Sequence, residues 1–123
     1  MKIQESGENY LETILLLGMR NGTVRAVDIA NKLGYSKPSV TRAMSVLKKA
    51  GLVEQEAYGN IYLTEEGRRR AVEIYDRHTL IKEFLMTILS LDETTADTDA
   101  CRIEHIVSPK TIERMRAVLN KTD

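Results

Sequence analysis

The sequence predicts a mainly α protein, a winged helix-turn-helix domain followed by an all-helical domain. Three observations predict it. A long amphipathic segment is followed by two shorter ones joined at a glycine. Two short β-rich segments then flank a polar turn, and everything beyond that turn carries helical periodicity between capping residues.

The first helix is expected to start from a Ser6 cap, bury Tyr10, Leu11, Ile14, Leu15 and Leu17, and close at Asn21-Gly22. After an extended Thr23-Val24-Arg25, the run Ala26 to Leu33 places Val27, Ile29, Ala30 and Leu33 at helical spacing, and Gly34 suits a left-handed stop. Ser36 is the natural N-cap of the third helix. Pro38 follows where a missing N–H costs nothing, and Val40, Met44 and Leu47 lead to a stop at Gly51. Leu52 to Glu56 and Ile61 to Leu63 form a hairpin around Tyr58-Gly59-Asn60. Thr64 caps a long helix through about Ser90, with Ala71, Ile74, Tyr75, Leu80, Ile81, Phe84 and Leu85 among its apolar positions. Asp92 starts a polar helix holding Ala100, Cys101, Ile103 and Ile106. Ser108-Pro109 ends it and caps a last helix with Ile112, Met115 and Val118. The expected domain division is 1–64 and 65–123.

With 123 residues, 42% of them apolar and 29% charged, the chain is sized for one small module and a helical extension, with no room for a separate catalytic domain. The N-terminus lacks a basic and then apolar leader, and no apolar run is long enough to span a bilayer, so the expected location is the cytoplasm, away from membranes. Basic and acidic residues balance at 18 each, which disfavours a generic nucleic-acid binder. Their placement restores the case. Arg25, Lys32, Lys37, Arg42, Lys48 and Lys49 face Asp28 alone across the helix-turn-helix, whereas Glu83 to Asp99 is acidic. The first segment suits phosphates and the second suits cations.

A recognition helix presents small and polar side chains at its N-terminal end, where they reach base edges. Ser36, Lys37, Pro38, Ser39, Thr41 and Arg42 meet that description, and Arg25 and Lys48 extend the basic surface. Arg42 suits bidentate contact with guanine and Pro38 suits a thymine methyl, while Lys37 and the serine hydroxyls suit phosphates. Any capped helix start can look like Ser-Lys-Pro-Ser. The order of helix, turn, basic helix and hairpin favours the winged-helix reading.

Cys101, Glu104 and His105 lie at i, i+3 and i+4, so a helix would carry thiol, carboxylate and imidazole on one face. Sulfur, oxygen and nitrogen donors suit a divalent transition metal (Fe²⁺, Mn²⁺, Co²⁺, Ni²⁺ or Zn²⁺) rather than Ca²⁺ or Mg²⁺. His78 on the preceding helix and Asn9 and Glu12 on the first provide further donors. The triplet equally fits a buried thiol, a solvated carboxylate and a helix histidine, and alone it decides nothing. HExxH and CxxC zinc patterns are absent.

Taken together, Glu8-Asn9-Tyr10-Leu11-Glu12, Asp28-Ile29-Ala30, Ser36 to Thr41, Leu63-Thr64-Glu65-Glu66-Gly67, Arg77-His78 and Asp99 to His105 resemble the diphtheria toxin repressor and manganese transport regulator family nearly end to end. The resemblance implies a DNA-binding winged helix and a helical metal-binding and dimerisation domain. It further implies a homodimer that binds a palindromic double-stranded operator when loaded with Fe²⁺ or Mn²⁺ and represses metal-uptake genes. The chain looks like the short, two-domain form without an SH3-like domain.

By the same resemblance Cys101, Glu104 and His105 match the iron-responsive ligand motif, Glu12 matches a ligand of the manganese form, and His78 matches a ligand of both. Asn9 stands where the family has Asp or Met. Lys82 stands where it has a glutamate ligand and Asp97 where the iron form has a second histidine, so the second metal position is expected to be altered. The protein is therefore expected not to be an enzyme. Its rivals are a winged-helix regulator that answers to a small ligand or to thiol oxidation at Cys101, and a metalloenzyme built on the Cys101, Glu104 and His105 face.

Overall fold

A computed structural model describes residues 5–57 and 59–122, with side chains placed for 6–57 and 59–121. The elements run α1 (Glu5–Asn21), α2 (Ala26–Leu33), α3 (Lys37–Lys49), β1 (Val53–Gln55), β2 (Ile61–Leu63), α4 (Glu65–Thr87), α5 (Glu93–Ile103) and α6 (Pro109–Thr122). They divide into two compact units, residues 1–72 and 73–123.

In the first unit the α1 stripe of Tyr10, Leu11, Ile14, Leu15 and Leu17 is buried, and α1 touches α2, α3 and β2. Each of the short helices is closed by its own sequence. Arg25 caps α2, with its N–H donating to the Asp28 carboxylate at 2.9 Å, and Gly34 ends it at φ 71°. The turn is held by Tyr35, whose ring meets Tyr10 edge-on at 5.9 Å. Ser36 Oγ accepts the Ser39 N–H at 3.3 Å and starts α3 as expected, and Val40, Met44 and Leu47 face inward. Strands β1 and β2 pair antiparallel with Val53 opposite Leu63. Val24 adds a third rung, its carbonyl accepting from Ile61 N–H at 2.7 Å.

The wing is welded to α4 by close backbone contact. Thr64 Oγ donates to the Gly51 carbonyl at 2.6 Å and accepts the Gly67 N–H at 3.0 Å. A side chain at position 67 would collide with this seam, since a Cβ there would lie 1.9 Å from the Leu52 carbonyl oxygen.

The second unit has its own core. Ile81 and Leu85 of α4 meet Ala96 and Ala100 of α5, with Phe84, Leu91, Ile103, Val107, Ile112 and Met115 packed around them.

Several boundaries differ from the sequence reading. Ser6 lies inside α1 rather than capping it, because the helix already includes Glu5. Helix α4 stops at Thr87, not near Ser90. Ser90 takes a left-handed φ of 57° and the Leu91 N–H turns back to the Leu85 carbonyl at 3.1 Å, a closure that needs no glycine. Helix α5 ends at Ile103, so Ile106, expected within it, lies beyond its end and is 78% exposed. Val27 is exposed as well. In the wing turn, Tyr58 lies outside the described residues.

Candidate metal centre and nucleic-acid interface

The acidic second unit concentrates its chemistry where α4 faces the end of α5. The sequence reading placed Cys101, Glu104 and His105 on one helix face. Instead the chain leaves the α-helix after Ile103 and tightens, with Ile106 N–H donating to the Ile103 carbonyl at 3.0 Å. Cys101 stays exposed on the last turn of α5, while the side chains of Glu104 and His105 are fully buried in the turn that follows. Arg77 of α4 secures that turn, its Nε donating to the Glu104 carbonyl oxygen at 3.0 Å.

Glu104 is the unusual residue. Among the described residues, neither of its carboxylate oxygens has a hydrogen-bond partner, although both are buried. What faces them is imidazole: His78 Nδ1 lies 3.0 Å from Oε2, and His105 Nε2 lies 3.3 Å from Oε1. Burying a carboxylate without hydrogen bonds costs several kcal/mol, roughly, and folded proteins rarely tolerate it without a reason. His78 and Glu104 supply imidazole and carboxylate donors of the kind a divalent transition metal takes, and His105 lies beside the same carboxylate.

The far side of His78 is also secured. Its Nε2 lies 2.8 Å from Asp97 Oδ1. That hydrogen bond holds the Asp97 carboxyl below the usual aspartate value, against the opposing effect of burial, and the nearby Lys82 ammonium adds to the lowering. Lys82 Nζ lies 3.6 Å from Asp97 and 3.4 Å from Glu93. The sequence reading treated Asp97 and Lys82 as departures from a family pattern; the contact of Asp97 with His78 is invisible in sequence because the two residues lie 19 positions apart.

In the first unit, α1 carries the remaining predicted donors, Glu12 buried and Asn9 half-buried. The predicted DNA-reading residues are displayed on α3. Ser36, Lys37, Pro38, Thr41 and Arg42 are exposed, with Ser39 half-buried. Two of the side chains are pre-ordered on the helix itself. Thr41 Oγ donates to the Lys37 carbonyl at 3.0 Å, and Arg42 Nη2 reaches Ser39 Oγ at 3.5 Å. Arg25, Lys37, Thr41, Gln55 and Gly59 line one cleft of about 230 Å³ between α2, α3 and the hairpin. Lys48 Nζ donates to Gln55 Oε1 at 3.1 Å, and Gln55 Nε2 donates to the Gly59 carbonyl at 3.3 Å. Gln55 thus ties the basic helix to the wing, a role that sequence reasoning missed. The strand's alternation places Gln55 on the exposed face but does not say what it touches.

Among the described residues no helix is long and apolar enough to cross a membrane. Residues 2–61 match the N-terminal DNA-binding domain of iron-dependent repressors, and residues 64–123 match their metal-binding and dimerisation domain. The chain is 37% identical over 120 residues to a helix-turn-helix transcriptional regulator of Methanocaldococcus jannaschii, covering 97% of this chain and 96% of that protein. It is 34% identical over 114 residues to the transcriptional regulator MntR of Escherichia coli, covering 93% of this chain and 73% of MntR. The solved structure of the manganese regulator SloR superposes with a TM-score of 0.82 at 31% identity, covering 98% of this chain; the chain spans 55% of SloR. The described geometry and these likenesses agree. The chain belongs to the iron-dependent repressor family, and is a metal-dependent transcriptional regulator of the diphtheria toxin repressor and manganese transport regulator type rather than an enzyme.

Proposed function

We propose that this protein is a repressor whose homodimer binds a palindromic operator when Fe²⁺ or Mn²⁺ occupies a centre built on His78, Glu104 and His105. The observation that carries the proposal is Glu104, a fully buried carboxylate with no hydrogen bond to either oxygen and two imidazoles beside it. Glu12 and Asn9 of α1 and the thiol of Cys101 are the further donors in this reading, with Zn²⁺, Co²⁺ and Ni²⁺ as substitutes in vitro. A bound cation would supply positive charge to the Glu104 carboxylate and a link between donors that belong to different helices.

The rest follows from the chain. Residues 1–64 form the DNA module, in which Pro38, Thr41 and Arg42 address base edges in the major groove while Ser36, Lys37, Ser39, Arg25 and Lys48 meet phosphates. Residues 65–123 bind metal and dimerise, a reading supported by their match to a metal-binding and dimerisation domain. Operator affinity rises with metal only if the DNA-competent arrangement binds metal better; reciprocally, operator DNA tightens metal binding by the same factor. Because imidazole and thiol ligate in their deprotonated forms, the response weakens as pH falls. SloR is described as a manganese regulator, which supports a manganese response in this chain; action in the cytoplasm on metal-uptake genes completes the proposal.

The test is binding to DNA fragments selected from a random pool, measured with metal-stripped protein titrated with Mn²⁺, Zn²⁺ and, without oxygen, Fe²⁺. A Glu104→Ala, His105→Ala variant runs in parallel. Metal-dependent binding lost in the variant is the expected result. Equal binding by stripped wild type, loaded wild type and variant would refute the metal switch.

A further inference from the structure

We infer that Asp97 and Lys82 are positioning residues for His78, and that the Lys82 ammonium restricts the proposed centre to one ion per chain. The inference rests on the metal reading above. A carboxylate oxygen accepts, so the 2.8 Å contact with Asp97 Oδ1 favours the tautomer with its hydrogen on His78 Nε2. A neutral imidazole then carries its lone pair on Nδ1, the nitrogen that faces Glu104 at 3.0 Å. A carboxylate that fixes the ring and tautomer of a ligating histidine in this way typically accounts for roughly 10- to 100-fold in metal affinity.

The same carboxylate would otherwise invite a second cation. Asp97, which touches the imidazole, and Glu93 are two exposed acidic side chains that both reach Lys82, a pair that would attract a cation if the lysine were absent. Lys82 projects from α4 one turn after His78 and places its ammonium within 4 Å of both. Its positive charge is built into the chain, so an additional ion there would be repelled by the ammonium and find the carboxylates already matched.

The experiment combines ¹⁵N NMR of the histidine rings in metal-free protein with calorimetric Mn²⁺ titration. Wild type should show His78 in the Nε2–H tautomer and take up one ion per chain. Asp97→Ala should mix the tautomers and weaken Mn²⁺ roughly 10- to 100-fold without loss of helical circular dichroism. Asp97→Asn, whose amide oxygen still accepts, should restore the tautomer. Lys82→Glu should keep the tautomer and raise the stoichiometry from one ion to two. Two ions on the wild type, or Asp97→Ala with tautomer and affinity unchanged, would overturn the inference. Mn²⁺ uptake that ignores Glu104→Ala would overturn the metal reading itself, and the stoichiometry claim with it.

Discussion

Replacing Glu104 by Gln separates what this carboxylate does for the fold from what it does for the metal response. The substitution keeps shape and removes one charge from a side chain that is 0% exposed, with both oxygens lacking a hydrogen bond. A buried polar group left unsatisfied costs about 1–3 kcal/mol, and more when charged. His78 and His105 are within 3.0 and 3.3 Å but do not offer hydrogen-bond geometry, so they offset little of that cost. The neutral amide has less hydration to lose. Metal-free Glu104→Gln should therefore be about 1–2 kcal/mol more stable than wild type in urea denaturation with chelator present. With Mn²⁺ at one hundred times its dissociation constant, the wild type should gain about 2.7 kcal/mol by mass action and the variant almost nothing. The two stabilities should cross, which a pair of melting curves would show at roughly 4 °C per kcal/mol. A metal-free variant less stable than wild type by more than about 1 kcal/mol would refute the reasoning, because Glu104 would then be a structural partner of the histidines. Equal Mn²⁺ stabilisation of both proteins would show that the carboxylate is not a ligand.

Gly67→Ala should destabilise the wing and α4 seam by about 1–3 kcal/mol in chemical denaturation, since its Cβ would sit 1.9 Å from the Leu52 carbonyl oxygen and backbone must move. Arg42→Ala should cost about 1–3 kcal/mol on selected DNA and leave non-specific binding nearly unchanged in a fluorescence titration; uniform loss with a shallower salt slope would reassign Arg42 to phosphate. Asp92 caps α5, and hydrogen bonds from the Thr95 hydroxyl and then its backbone N–H hold its carboxyl below the ordinary aspartate value of 3.8. A depressed value means the cap's contribution is complete above that pH and is lost as pH falls through the lower folded value. Asp92→Asn should keep the cap and remove this acid sensitivity, as read by amide exchange in α5.

Much of the architecture was legible in the sequence because its signals are local. Ser36, Gly34, Thr64 and Asp92 act within one turn of themselves, so their capping is written into neighbouring residues. The apolar stripe of α1 and the inward face of α3 needed only helical periodicity. The boundaries that failed are those decided by competition between a helix and its surroundings. Ser90 accepts a left-handed conformation more often taken by glycine, and α5 gives way after Ile103 although no breaker precedes Ser108.

By itself, then, the sequence determined the order of helices and hairpin, the basic reading helix, and the residue types available to a metal: Glu12, His78, Cys101, Glu104 and His105. Only tertiary structure decided how those types are used. Helical spacing makes Cys101, Glu104 and His105 equivalent, yet the tightened turn after Ile103 buries Glu104 and His105 and leaves Cys101 exposed. Nothing in the spacing joins His78 to Asp97 or Lys82 to Glu93 either. The physical reason is range: capping and amphipathicity act over three or four residues, whereas desolvation of a carboxylate and the aim of an imidazole depend on atoms brought together by packing across the chain.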